Sequence, residues 1–333
     1  KDAVQWINGQ KQPFSPYVAF NSPHFPNQLP PFSLLSRETQ AALSDPGNVG
    51  GPYCAGQLAG TASSCGTSTC TDNAAWTANQ KRIFYNAMLE SVDTEIGNLL
   101  SQMSPDKRAN TMVFVVADNG TPDSAVEPLL HDPAHAKGEF YELGINVPLI
   151  VSGGMVPRGG HVSDGLVHLV DMWRTIADVT GASESLAAPQ PLDSIGFGHI
   201  LRNPSAPSAR TEIFSQAFVQ PGAYAPTAGG PYVATCPETQ IPAVYSYVPQ
   251  NVGGHGRCMS IGQYKLIVTQ TAAAVDTQPA GMPDIAPEYS EKLFDLLADP
   301  DETNDLAPLI PGDPMLAAIR DGLRDRMTQI SGF

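Results

Sequence analysis

An almost unbroken run of apolar and β-branched residues, Thr111 to Ala117, constrains the fold of this chain more than any other segment. Such a run, without polar alternation, is typical of a strand that is buried on both faces of a sheet. The run stops abruptly at Asp118-Asn119-Gly120. A second short apolar run, Val147 to Val151, predicts another buried strand.

Helical periodicity around these strands predicts the fold class. Apolar residues recur every three or four positions from Asn79 to Met103, and Asp164 to Thr180 is again helical, with a left-handed cap expected at Gly181. Strands that alternate with helices are typical of a mostly parallel sheet sandwiched by helices. We therefore expect an α/β domain over residues 1–188 and a smaller α+β subdomain over residues 189–333, where short strands precede a final helix.

The amino-terminal part adds a third predicted strand, Pro16 to Phe20, which ends at Asn21-Ser22-Pro23-His24. In parallel sheets, ligands collect beyond the carboxyl ends of the strands. We therefore expect His24, Asp118 and Asn119 to face one crevice.

Charge narrows the classes of partner. The formal net charge is −15, and Lys and Arg together number only 18. Because nucleic acid and anionic membranes repel such a chain, we expect no nucleic-acid partner, and an anionic substrate must be held by a few cations or a metal. No apolar run approaches the roughly 18 residues that a membrane span requires.

The positions of the five cysteines bear on the cellular compartment of the protein. Cys54, Cys65 and Cys70 lie in a stretch rich in Gly, Ser and Thr with no His nearby to complete a zinc site, which predicts a disulfide-clipped surface loop. Cys236 and Cys258 flank a second loop that a disulfide would close. These pairings favour a periplasmic or extracellular location. Five buried thiols in a cytosolic protein are the alternative.

Four side chains offer the chemistry of an anionic-ester hydrolase. Asp118 and Asn119 present hard oxygen ligands that suit calcium or magnesium, although the same tripeptide is also a common turn. His24 is either a general acid, a hydrogen-bond donor to sulfate or phosphate, or a satisfied polar residue at a strand end. Lys137 is either a binding cation or a solvated loop lysine. Together they supply the charge neutralisation, positioning and proton donation that such cleavage needs.

The order and spacing of several segments resembles the sulfatase family, in the arylsulfatase-like branch of the alkaline phosphatase superfamily. The resemblance covers essentially the whole chain. The segments that carry it are Ala19–Pro26, Asp93–Gly97, Ala117–Gly120, Lys137-Gly138, Tyr141-Glu142, Val147-Pro148, Leu293–Leu296 and Asp299–Ala307.

The resemblance implies roles for the four side chains. Asp118 and Asn119 are two ligands of a single Ca²⁺, with Mg²⁺ or Mn²⁺ as less favoured ions, while His24 and Lys137 contact the sulfate ester. Related phosphatases place histidine after the aspartate and hold two metals, so Asn119 favours sulfate monoesters, with phosphodiesters and phosphonate monoesters as the alternative. Two residues depart from the family pattern: Leu143 stands where the family usually has a second glycine, and Asn146 stands where it usually has arginine. Both departures bear on substrate preference.

A larger departure concerns the nucleophile. The family carries a formylglycine in a Cys-or-Ser-x-Pro-x-Arg segment, and none of the five cysteines fits that pattern. We therefore expect Lys1 to be an internal position of a longer sulfatase, whose amino-terminal part, in the same protein or as a separate fragment, supplies the formylglycine. The chain alone is then inactive.

The resemblance also implies the partners. The expected substrate is a sulfate-ester small molecule or a sulfated glycan. Two rival interpretations are a sulfatase-like protein that binds sulfated or anionic glycans without cleaving them, and a secreted scaffold that makes contacts through the Cys54–Cys70 loop.

Overall fold

The computed structural model describes residues 2–24, 29–45, 77–182, 193–217, 232–236, 239–243, 256–270 and 289–331. Contacts between Cα atoms divide the chain into two compact units. Unit 1 is Lys1–Thr111, Pro122–Pro133 and Pro226–Val248, and unit 2 is Met112–Thr121, Ala134–Ala225 and Pro249–Phe333. The domain boundary expected at residue 188 stays a prediction. Among the described helices, none has the length and apolar content that crossing a bilayer requires.

Helices and strands alternate irregularly along the chain. The α-helices are α1 (Asp2–Gly9), α2 (Arg37–Ser44), α3 (Ala78–Gln102), α4 (Pro105–Ala109), α5 (Glu142–Ile145), α6 (Asp171–Thr180), α7 (Gly198–Arg202) and α8 (Pro314–Ser331). The strands are β1 (Val113–Val116), β2 (Leu149–Ser152), β3 (Glu212–Ala217), β4 (Tyr232–Cys236), β5 (Thr239–Ala243), β6 (Gly256–Ile261), β7 (Tyr264–Gln270) and β8 (Tyr289–Asp295).

The long helix α3 organises unit 1. It begins with a capping box, in which the Thr77 side chain accepts from the Gln80 amide and the Gln80 side chain accepts from the Thr77 amide. Its buried residue Phe84 packs with Leu35 and with Leu43 of α2. The helix predicted from the apolar spacing between residues 79 and 103 is therefore confirmed, because that spacing places one apolar stripe on one face.

The predicted parallel sheet is corrected by the structure. Strand β1 pairs with β2 antiparallel, with Val113 opposite Ser152 and Val116 opposite Leu149. All other strand pairs in the described part of the chain are antiparallel as well. A parallel neighbour requires a crossover, usually a long helix, and the connection between β1 and β2 contains only short 3₁₀ turns and the four-residue helix α5. The apolar runs predicted both strands, but they carried no information about strand direction. The burial expected for these strands is also wrong, because Val116 is 36% and Ile150 is 63% exposed.

Two other expectations are corrected near element ends. The segment from Pro16 to Phe20 is not a strand, because prolines at 13 and 16 remove backbone donors that a sheet needs. His24 consequently lies in a turn, where its amide donates to the Asn21 carbonyl at 2.9 Å. Helix α6 begins at Asp171, seven residues later than expected, but it ends at Thr180 and is capped by Gly181, with a left-handed φ of 72°, as predicted.

A four-stranded antiparallel sheet forms the core of unit 2. Its strand order is β3-β6-β7-β8, and α8 packs against it. The buried side chains between the sheet and α8 are Met259, Leu266, Val268, Leu293, Leu316, Leu323 and Met327. Alternate side chains of β6, β7 and β8 face the other side, where they meet Phe140 and Tyr141. The sheet therefore buries apolar side chains on both faces.

The predicted Cys236–Cys258 disulfide is wrong. Cys258 is a free thiol, fully buried beside Ile267 and Phe294. Burial raises the pKa of this thiol to about 11. Cys54, Cys65 and Cys70 lie outside the described residues, so the disulfide loop expected there stays a prediction.

Alkylation tests the state of Cys258. At pH 8 we expect iodoacetamide to leave Cys258 unmodified in the native chain, since the thiol is buried and its pKa lies near 11. In denaturant without reductant, mass spectrometry should find this cysteine fully alkylated. A Cys258 peptide that is alkylated only after reduction would restore the disulfide.

Leu293, in β8, and Leu297, just after β8, test the core of unit 2. Leu293 is 0% exposed and Leu297 is 79% exposed. We expect Leu293→Ala to lower the free energy of unfolding by about 2–5 kcal/mol, because it leaves a cavity under α8, and Leu297→Ala to change it by less than about 0.5 kcal/mol. Urea unfolding measures both, and equal effects would contradict this packing.

Candidate functional site

The turn after β1 and the loop that carries Lys137 lie side by side in unit 2. The Gly120 amide donates to the Gly144 carbonyl at 2.9 Å, and the Lys137 amide donates to the Thr121 carbonyl at 2.8 Å. These two backbone hydrogen bonds join the Asp118-Asn119 turn to both ends of the segment 137–144. Three of the four predicted site residues are therefore brought into one neighbourhood.

Close backbone approach explains two glycines at this junction. A Cβ atom on Gly120 would lie 2.1 Å from the Leu143 carbonyl oxygen and 2.6 Å from that of Gly144. A Cβ atom on Gly144 would lie 2.4 Å from the Glu139 carbonyl oxygen and 2.7 Å from that of Ala136. No side chain fits at either position unless the backbone moves, so the two segments can approach only through glycine.

The functional groups at this junction are accessible. Asp118 and Lys137 are exposed and Asn119 is partly exposed. Among the residues that the structure describes, none pairs with the Asp118 carboxylate or the Lys137 ammonium. An accessible carboxylate and a neighbouring amide oxygen fit a calcium ion, which takes six to eight oxygens, as part of a larger ligand set. The described residues contain no cluster of three or more His, Cys, Asp or Glu that could hold a metal by itself.

His24 lies in unit 1 and is exposed. The other three site residues belong to unit 2. Its convergence with them on one crevice stays a prediction.

A buried ion network underlies the Lys137 loop. Lys265, the second residue of β7, is 0% exposed, and its Nζ lies 2.9 Å from Glu142 Oε1 and 2.8 Å from Glu302 Oε1. The Glu142 amide also donates to Glu302 Oε2. Burial raises the pKa of the Glu302 carboxyl, although the Lys265 charge opposes that shift. The network binds the start of α5 to the sheet.

Sequence reasoning gave none of these three residues a role. The signal was present in Tyr264–Thr269, where a single lysine interrupts an otherwise apolar strand. A lysine inside such a strand needs a carboxylate partner, because buried charges are otherwise too costly. Its partners lie 123 and 37 positions away, so sequence spacing alone does not identify them.

Tyr141 provides a second contact between the loop and the sheet. Its ring stacks on His135 with 3.5 Å between ring centroids and meets Phe294 of β8 at 5.8 Å. Lys292 donates to the Tyr141 hydroxyl at 2.6 Å, and this hydrogen bond raises the pKa of the lysine. Nearby, burial raises the pKa of the Glu139 carboxyl. The loop is therefore held by both apolar and polar contacts.

Comparison with known proteins gives one family. The family model described as Sulfatase matches residues 1–182. Over 231 residues, the chain is 25% identical to arylsulfatase K of Mus musculus, which covers 69% of this chain and 33% of that protein. The chain thus spans about a third of the length of this curated relative.

Two solved structures resemble the fold. The phosphonate monoester hydrolase of Agrobacterium radiobacter superposes with a TM-score of 0.58 and 16% identity, covering 99% of this chain and 58% of that one. A protein solved in complex with its substrate D-glucosamine-2-N,6-O-disulfate gives a TM-score of 0.50 and 18% identity, covering 77% of this chain and 41% of that one. At these identities, the likeness shows a shared fold.

Glycine substitution tests the close approach at the junction. We expect Gly120→Ala to lower the free energy of unfolding by about 1–3 kcal/mol, because the added Cβ overlaps the Leu143 carbonyl. Gly322→Ala is the control: it lies inside α8 with open space around it, so it should stabilise by up to about 1 kcal/mol. Urea unfolding measures both. A Gly120→Ala chain as stable as the parent would contradict the junction.

Proposed function

Because this chain belongs to the sulfatase family, we propose that the complete protein is an arylsulfatase-like, calcium-dependent hydrolase of sulfuric esters. The observation that supports this proposal is the junction within unit 2, where backbone hydrogen bonds hold the segment of two candidate oxygen ligands, Asp118 and Asn119, beside that of a candidate cation, Lys137. Cleavage of an anionic ester needs both kinds of group.

Asp118 and Asn119 hold the metal in this proposal. Their carboxylate and amide oxygens are the hard ligands that calcium prefers. Calcium takes six to eight oxygens, and in this proposal the others come from residues other than those that the structure describes. When bound, the ion neutralises charge on the sulfate oxygens. Mg²⁺ and Mn²⁺ are less favoured occupants.

Lys137 binds the sulfate group and orients it. Its ammonium is exposed, while its backbone is fixed by the hydrogen bond to Thr121. A cation on a fixed loop attracts the ester and stabilises negative charge that develops on its oxygens. His24 donates a proton to the leaving alcohol oxygen, a role that suits an imidazole near neutral pH.

The nucleophile comes from outside these 333 residues. No cysteine or serine of the sequence is followed by proline two positions on and arginine two positions further. In the proposal, another part of the protein, in the same chain or as a separate fragment, supplies a formylglycine, and this chain alone is inactive.

The proposed substrate is a sulfate-ester small molecule or a sulfated glycan. A protein of the same fold was solved with a disulfated glucosamine as its substrate, which supports this class. The acidic chain, with a net charge of −15, also favours a discrete anion site over a broad basic surface. Export to the periplasm or the cell exterior is part of the proposal.

Matched substitutions in the complete protein test this function. Lys137→Ala should lower kcat/KM for a sulfated glucosamine by about 10²–10³, because it removes a charge that faces the reacting group. Lys11→Ala, at another exposed lysine, should leave kcat/KM unchanged. Asp118→Ala should weaken calcium binding measured by calorimetry, whereas Asp164→Ala, at another exposed aspartate, should not.

The alternatives give different results in the same assays. Faster cleavage of a phosphonate monoester than of any sulfate ester would replace the proposed reaction. Binding of sulfated sugars without product release by the complete protein would indicate a non-catalytic binding protein. Equal rates for Lys137→Ala and the parent would remove Lys137 from the site.

A further inference from the structure

The buried amine of Lys265 is already neutralised without Glu142. Glu302, with its side chain 1% exposed, lies 2.8 Å away and balances the charge within the interior. The Glu142 side chain is 28% exposed and lies at the edge of the same network, where water also solvates it. Charge balance therefore does not require Glu142, and its contact with Lys265 needs another explanation.

That contact fixes the position of α5. Glu142 is the first residue of α5, and both its side chain and its amide are held by the Lys265–Glu302 pair. Two residues later, the Gly144 carbonyl accepts from the amide of Gly120 in the Asp118-Asn119 turn. The helix therefore connects the buried pair to the proposed metal turn through one short run of backbone.

Backbone hydrogen bonds also connect this segment to the loop that carries Lys137. The Gly144 amide donates to the Tyr141 carbonyl, and the Lys137 amide donates to Thr121, the residue after Gly120. Movement of α5 would therefore displace the turn and the lysine loop together. The side chains of Asp118 and Lys137 are exposed and that of Asn119 is partly exposed, so the backbone is the structure that locates them.

The backbone of Glu302 adopts a conformation that is uncommon for a non-glycine residue. Its φ is +54°, the only positive value at a non-glycine residue in the described part of the chain. Non-glycine residues rarely adopt this conformation, and they keep it where the surrounding structure requires it. Here it directs the carboxylate towards both Lys265 and the Glu142 amide.

We propose that Lys265 and Glu302 are positioning residues, which hold the Asp118-Asn119 turn and Lys137 in place by clamping Glu142 at the start of α5. We call the contact of Glu142 with Lys265 and Glu302 the clamp. The expected effect on catalysis rests on the proposed function, whereas the clamp itself does not. Neither residue touches the ester. Their role is to keep the groups that do so at fixed positions.

Three variants of the complete protein separate the clamp from general stability. Glu142→Ala removes the carboxylate at the edge and leaves the buried Lys265–Glu302 pair intact. Glu142→Gln keeps a side-chain oxygen that still accepts from Lys265. Glu212→Ala is the control, because it breaks another ion pair of unit 2, with Arg326, that does not involve the loop.

Amide hydrogen exchange measures the clamp directly. In Glu142→Ala, the amides of Gly120, Lys137 and Gly144 should exchange at least about tenfold faster, while those of β6 and β7 keep their protection. Glu142→Gln should return exchange towards the parent rate, and Glu212→Ala should leave these amides unchanged. Unchanged exchange in Glu142→Ala would overturn the proposal, whatever the activity of the protein.

Kinetics on a sulfate ester then measure the consequence. In Glu142→Ala we expect kcat to fall at least about tenfold at an unchanged melting temperature, with recovery in Glu142→Gln. A parent protein without sulfatase activity but with a loosened loop in Glu142→Ala would refute the proposed function and keep the clamp. A fall in kcat without faster exchange would refute the clamp.

A double variant covers the case in which Glu142→Ala does not fold. Lys265→Met with Glu302→Gln removes the buried charges together, so it avoids an unpaired charge in the interior. We expect this variant to keep the β6 and β7 protection and to show the same fast exchange at Lys137. Parent-like exchange of the loop in this variant would overturn the proposal.

Discussion

The ion pair between Lys265 and Glu302 is the interaction on which the organisation of unit 2 depends. An ammonium buried at the start of a strand is stable only when a carboxylate reaches it, so Lys265 fixes where Glu302 must lie, and Glu142 joins this pair from its edge. Glu302 belongs to the segment that follows β8, and Glu142 begins α5. One buried charge thus brings together the sheet, the segment before α8 and the loop of the candidate site.

The candidate site separates two tasks among different residues. Asp118 and Lys137 are exposed and reach solvent, which suits the roles proposed for them as a metal ligand and an ester-binding cation. Their backbones are held by hydrogen bonds and by glycines that admit no side chain. Binding groups are most effective when their positions are fixed before the ligand arrives, because less freedom is then lost on binding. The hydrogen bonds of Gly120 and Lys137 provide that preorganisation.

Local sequence patterns predicted helices and strands, but they did not predict features that depend on residues distant in the sequence. The spacing of apolar residues located α3, because one buried face leaves a periodic trace in the sequence. The unbroken apolar run located β1, although it predicted burial on both faces and β1 has no fully buried residue. The direction of the β1–β2 pair depends on the connection between the strands, and the apolar runs contain no record of it. Cys258 was misassigned for a related reason: its neighbours in the core, Ile267 and Phe294, are defined by sheet register.

The site shows the same division between what the sequence predicts and what it does not. The residue types and order of Asp118, Asn119 and Lys137 predicted that they belong together, and the structure joins their segments. Leu143 departs from the pattern of the family, and its carbonyl oxygen would lie 2.1 Å from a Cβ atom on Gly120. That approach involves the backbone of residue 143, which a leucine and a glycine share. The departure therefore leaves the junction intact, whereas Gly120 and Gly144 admit no replacement without movement of the backbone.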